Sequence, residues 1–129
     1  MAQVMERTEK TVKASNAVAD IVAAGNTDLL DVDVSGLDRL AVELVLTTQA
    51  FDAFIMQAKV HPDSAFVTIT SAITATPGGV VLAASGTLAT LAAGSTGWAL
   101  LDVRPFHTVR FQASAAVDGA DLTIRALGR

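Results

Sequence analysis

The chain has no cysteine and no tyrosine, only two histidines and only three prolines. Without cysteine there is no disulfide framework, no thiol nucleophile and no thiolate metal site. Two imidazoles leave little of the usual equipment for proton transfer near neutral pH. Charge is also scarce: 17% of the residues are charged, 9 basic against 13 acidic, for a net charge of −4. That balance lacks the basic footprint of a nucleic-acid-binding protein. Residues 1–13 hold no apolar segment followed by a cleavage site, so no secretory signal is expected. What remains is 129 residues, 51% of them hydrophobic. That suffices for one domain with its own core and is too apolar for intrinsic disorder.

The residues that usually fill exposed helix surface are few. Glu, Lys and Gln number 3, 3 and 4, whereas Val, Ile and Thr number 15, 5 and 14. β-Branched residues suit strands. The 24 alanines pull the other way, so pattern has to arbitrate. From Arg39 to Thr47, Leu40, Val42, Leu44 and Leu46 alternate with Arg39, Ala41, Glu43 and Thr47. Phe54, Met56, Ala58 and Val60 then alternate with polar or small neighbours, and His61-Pro62-Asp63-Ser64 ends that strand. Further strands are expected over 65–75, 80–84 and 98–103, with a turn at 76–79. Val109, Phe111 and Ala113 share one face, as do Leu122, Ile124 and Ala126. Asp118-Gly119 between them is a tight-turn signal, so these last two strands are expected to pair as a hairpin. Recurrent turns and period-two runs predict an all-β fold, a single β-sandwich or jelly-roll-like domain.

Two segments are ambiguous. Residues 87–93 could form one helical turn. Residues 11–24 mix both periods: Val18, Ile21 and Val22 suit a short helix, Val12 and Ala14 a strand. The expected division is therefore an N-terminal arm over 1–24, partly extended or helical, and a β-sandwich over 25–129.

Asp63 and Asp102 are consecutive charged residues, which leaves residues 64–101 without charge. Edge strands usually carry charge against unwanted pairing. Pro77 and the glycines at 78, 79, 86, 94 and 97 interrupt any membrane span here. Two readings remain: Thr and Ser on a solvated sheet face, or a surface covered by neighbouring subunits. The second predicts a homo-oligomer or a docked position in a larger assembly.

No catalytic, cofactor or metal set stands out. His61 and His107 lack a nucleophile elbow. Asp28, Asp31, Asp33 and Asp38 form an acidic run, with Asp31 and Asp33 on one strand face. A calcium site there is conceivable, but the EF-hand pattern is not matched. Gly94-Ser95-Thr96-Gly97 lacks the lysine of a phosphate loop. Glu6, Glu9 and Glu43 form no recognisable hydrolytic pair. Trp98 is a sugar-stacking platform in one reading and a core or interface residue in the other. The sequence reading is of a protein that is not an enzyme, with no cofactor.

Gly94-Ser95-Thr96-Gly97-Trp98, then Leu101-Asp102-Val103, then the run from Val109 to Ala116 resemble small all-β structural proteins of tailed bacteriophages. Phe54, Gln57, His61, Pro62 and Asp63 extend the likeness, which spans roughly residues 27–127. The resemblance implies a virion component assembled in the host cytoplasm. Within that class a capsid decoration (cement) protein is favoured, bound to the outer shell as a homotrimer or ring. The implied partners are further copies of itself and a major capsid or other virion protein, with no nucleic acid and no membrane. Head-completion, tail or fibre-base ring proteins are the alternatives in that class. A carbohydrate or cell-surface binding module is the alternative outside it.

Overall fold

The computed structural model describes residues 11–70, 94 and 96–129. Eight strands follow one another: β1 (Val12–Ile21), β2 (Thr27–Asp33), β3 (Arg39–Leu46), β4 (Phe51–Lys59), β5 (Val67–Thr70), β6 (Thr96–Asp102), β7 (Thr108–Ala115) and β8 (Ala120–Gly128). They form two antiparallel four-stranded sheets, with orders β1-β8-β3-β6 (sheet A) and β2-β7-β4-β5 (sheet B). The fold is an all-β sandwich.

Period-two alternation sets which face each strand buries. In β3, Leu40, Val42, Leu44 and Leu46 are buried. In β4, Phe54, Met56 and Ala58 are buried. β7 contributes Val109, Phe111 and Ala113, and β8 contributes Leu122, Ile124 and Ala126. These side chains meet between the sheets, where the Phe54 and Phe111 rings stack with centroids 5.5 Å apart.

Pairing is nested. β1 pairs with β8, β2 with β7, β3 with β6 and β4 with β5. The hairpin expected between the last two strands does not form. β7 lies in sheet B and β8 in sheet A. The turn signal is met, with Gly119 at φ 98°, but the reversal carries the chain from one sheet to the other through exposed residues. Asp118 accepts a hydrogen bond from Ala23 N at 2.8 Å, and Gly119 N donates to Ile21 O at 3.1 Å. The turn is thus tied to the β1–β2 connection rather than closing a ladder of its own.

Val12–Ile21 is strand throughout, which removes the short-helix reading of residues 11–24. A bulge between Val18 and Ile21 shifts the register. It moves the inward positions from Val12, Ala14 and Val18 to Ile21, and so imitates a helical spacing. A second bulge, between Asp28 and Leu30, sets the buried pair Leu29 and Val32 three apart. Val60, expected inside β4, lies beyond it and is 66% exposed. The expected strand at 80–84, the turn at 76–79 and the helical turn at 87–93 lie outside the described residues, as do residues 71–75 of the strand expected over 65–75.

Candidate functional site

The outward faces of the two sheets differ in chemistry. On sheet B the cross-strand neighbours are polar and satisfied. Arg110 forms a two-pronged ion pair with Asp31, at 2.9 and 3.0 Å. Gln112 donates to Asp28 at 2.6 Å, and Gln57 to Thr68 at 3.4 Å. Phe66 lies under the Arg110 guanidinium, 4.0 Å from ring centroid to Cζ, with Lys59 Nζ at 5.1 Å. The Asp31 carboxylate raises the Arg110 pKa, chiefly through their hydrogen bond. The bulge in β2 brings Asp28 and Asp31 to the same outward row of partners on β7.

Sheet A carries a different surface. Register places Lys13, Leu127, Ala41 and Leu100 in one row across its strands, and Ser15, Arg125, Glu43 and Trp98 in the next. The small Ala41 leaves a depression between larger neighbours. An open groove of about 680 Å³ runs over these two rows, within the size range of ligand and docking sites. Trp98 on β6 and Leu127 on β8, on either side of β3, are 41% and 40% exposed on this face, a concentration of exposed large apolar side chains. One ion pair crosses the groove, Arg125 Nη1 to Glu43 Oε1 at 2.7 Å. Trp98 is therefore not a core residue.

The other residues singled out from sequence have local partners. Asp33 accepts from Ser35 N and Ser35 Oγ, at 2.9 and 2.6 Å, which ends β2. Asp31 and Asp33 thus serve an ion pair and a turn. Among the described residues no group of three or more His, Asp or Glu side chains is placed to hold a metal ion. His61 Nδ1 accepts from Asp63 N at 3.1 Å within the turn after β4. His107 Nδ1 lies 2.7 Å from Thr108 Oγ1. Glu6, Glu9 and Ser95 lie outside the described residues; Gly97 is buried in β6. Asp102, at the end of β6, is held by the Arg104 guanidinium, with Nε to Oδ1 at 2.9 Å. Its pKa is lowered to about 2, first by the side-chain hydrogen bond from Arg104 and then by that residue's backbone N–H.

Sequence reading did not assemble the groove. It placed Arg39, Ala41 and Glu43 on one face of β3, which is where they are exposed or half-buried. Nothing in the sequence tells that β8 lies between β1 and β3, and that neighbourhood brings Arg125 to Glu43.

No protein-family model matches the chain, and no curated protein does. Among solved structures it is similar to a chain from Bacillus endospore appendages, described as disulfide-linked pili, at 13% identity. That match covers 99% of this chain and 96% of the other, with a TM-score of 0.45. It is also similar to the SPBc2 prophage-derived protein YomS, at 12% identity over 97% of this chain and 99% of that one, TM-score 0.44. A chain of the cyanophage Pam1 capsid asymmetric unit shares 14% identity over 98% of this chain and 92% of that one, TM-score 0.43.

Proposed function

We propose that this protein is a non-enzymatic structural component of a phage virion, a decoration protein that binds the outer shell as an oligomer. The observation that carries the reading is the contrast between the two outward faces. Sheet B presents polar groups paired with one another, the signature of a surface that stays in water. Sheet A presents Trp98, Leu100 and Leu127 around a groove crossed by a single ion pair. Aromatic and aliphatic groups of this kind, rimmed by a few charges, mark surfaces that other macromolecules cover.

The nested pairing of β1 with β8, β2 with β7, β3 with β6 and β4 with β5 supports a jelly-roll reading of the sandwich, an architecture that viral capsid domains share with lectins and cupins. Such a fold hosts many functions, so the assignment rests on the face and on the resemblance of β6 and β7 to phage structural proteins. A repetitive shell offers many equivalent sites, and multivalent contact strengthens a modest interface. β1, within the arm expected over 1–24, is itself a strand of sheet A, so the arm role is proposed only for the residues before it.

The test is co-sedimentation of the purified protein with phage shells assembled without it. Wild type is expected to pellet with the shells. Leu127→Asp, which sets a carboxylate in the groove, is expected to lose at least tenfold in affinity while remaining folded. Wild type left wholly in the supernatant overturns the reading. Retained Trp98 fluorescence change on a glycan array ligand, without shell binding, would place the protein among carbohydrate-binding modules instead.

A further inference from the structure

Among the described residues the two sheets end in four edge strands, β1, β6, β2 and β5, and each is a template for pairing unless something blunts it. Three are blunted. β1 carries Lys13 and a bulge at which Asp20 turns left-handed. β2 has a bulge and the carboxylates Asp28, Asp31 and Asp33. β5 pairs with β4 through a register shift between Met56 and Gln57. β6 has none of these devices. Over its described residues, Thr96–Asp102, it holds its register with β3 without a shift, contains no proline, and has one charge, Asp102, at its last position.

The hydrogen-bonding side of β6 is legible. Val103 N donates inward to Asp38 O at 3.1 Å. By antiparallel alternation Leu101, Ala99 and Gly97 also turn their backbone groups to β3, and Trp98 and Leu100 turn theirs to the open edge. Among the described residues no strand pairs with that edge.

We propose that β6 joins two copies of this chain, antiparallel about a two-fold axis at Ala99, so that sheet A runs continuously through both. The proposal rests on the assembly reading above and names its contact. The sequence of β6 is self-complementary about Ala99. Trp98 falls opposite Leu100 of the second copy, an aromatic–aliphatic cross-strand pair on the outward face. Both residues present outward backbone groups, so this pair exchanges both of its N–H···O bonds. Thr96 falls opposite Asp102 of the second copy, a hydroxyl beside a carboxylate, and no like charges face each other. Gly97 falls opposite Leu101 of the second copy on the inward face. The two Trp98 grooves then become one surface. An isologous contact of this kind builds an even-numbered assembly, in place of the trimer that the sequence reading favours.

Light scattering across a concentration series tests the contact, with far-UV circular dichroism and urea midpoints to establish folding. Leu100→Pro removes one outward donor and spares the ladder to β3. Leu100→Lys places a charge on the edge and guards against a proline that fails to fold. Val117→Lys, an exposed apolar position in the turn between β7 and β8 and outside the groove, is the control. Wild type is expected to have a mass that is an even multiple of 13.3 kDa. Both Leu100 variants are expected to fall to the single-chain mass, at least a tenfold loss in self-affinity, and the control to keep the wild-type mass. A wild-type monomer at the highest concentration, an odd-numbered assembly, Leu100 variants that keep the wild-type mass, or dissociation of the control each overturns the β6 contact. An odd-numbered oligomer that still pellets with shells would overturn this contact and leave the decoration role standing.

Discussion

Asp20 shows how much one residue can carry in this fold. Its φ of 59° is the only positive value outside glycine among the described residues. It sits in the β1 bulge, and its N–H donates to Asp121 Oδ1 at 3.1 Å, which fastens the end of β1 to the start of β8. Aspartate and asparagine tolerate this region, whereas a β-branched side chain meets the following carbonyl oxygen. Asp20→Val is therefore expected to lose about 1–2 kcal/mol of stability. Asp20→Asn is expected to stay within about 0.5 kcal/mol of wild type. Urea denaturation of the three proteins decides the matter, and a Val variant as stable as wild type would show that the bulge relaxes freely. Sequence alone could not mark this aspartate. The conformation comes from the register shift, and the shift is visible only once β8 is opposite β1.

At the scale of elements, β3, β4, β6, β7 and β8 were legible because their buried positions recur with period two, as in Leu122, Ile124 and Ala126. β1 and β2 were harder for a physical reason. A bulge inserts one residue and moves every later side chain to the other face, so Val18 and Ile21 mimic a helix turn. Sheet membership was illegible throughout. Asp118-Gly119 encodes a reversal, but a reversal serves equally well within a sheet and between two sheets. The groove suffered the same limit, because its rows combine residues from β1, β8, β3 and β6. The strand orders yield a prediction of their own. β8 and β3 are flanked on both sides, as are β7 and β4, while among the described residues β1, β6, β2 and β5 lie at edges. Amide hydrogen exchange on the isolated chain at low concentration is expected to be slowest in the four inner strands. If the outward amides of Trp98 and Leu100 exchange as slowly as those of β8 under these conditions, something within the chain covers that edge.

At the scale of the whole molecule, the winding determines how the chain can reach its native state. The first strand pairs with the last, and β8 separates β1 from β3. Sheet A therefore lacks its second strand until the C-terminal residues are in place. Sheet B likewise needs β7, from far along the chain, to join β2 to β4. Few contacts between neighbouring elements are available early, because among the described residues only β4 and β5 pair as consecutive strands. Loop closure must precede most of the burial that rewards it, which places such topologies among slow folders. Refolding is expected on a scale of about milliseconds to seconds rather than microseconds. The single tryptophan makes the experiment direct. Trp98 lies in β6, whose only partner among the described residues is β3, and Gly97 and Ala99 on either side of it are buried. Its emission should change together with the far-UV circular dichroism if sheet A forms as one unit. A chain ending at Gly119 lacks β8 and should show neither transition. A fluorescence phase well ahead of the circular dichroism would mean that β3 and β6 dock before β8 arrives, and the nested winding would then close from its middle outwards.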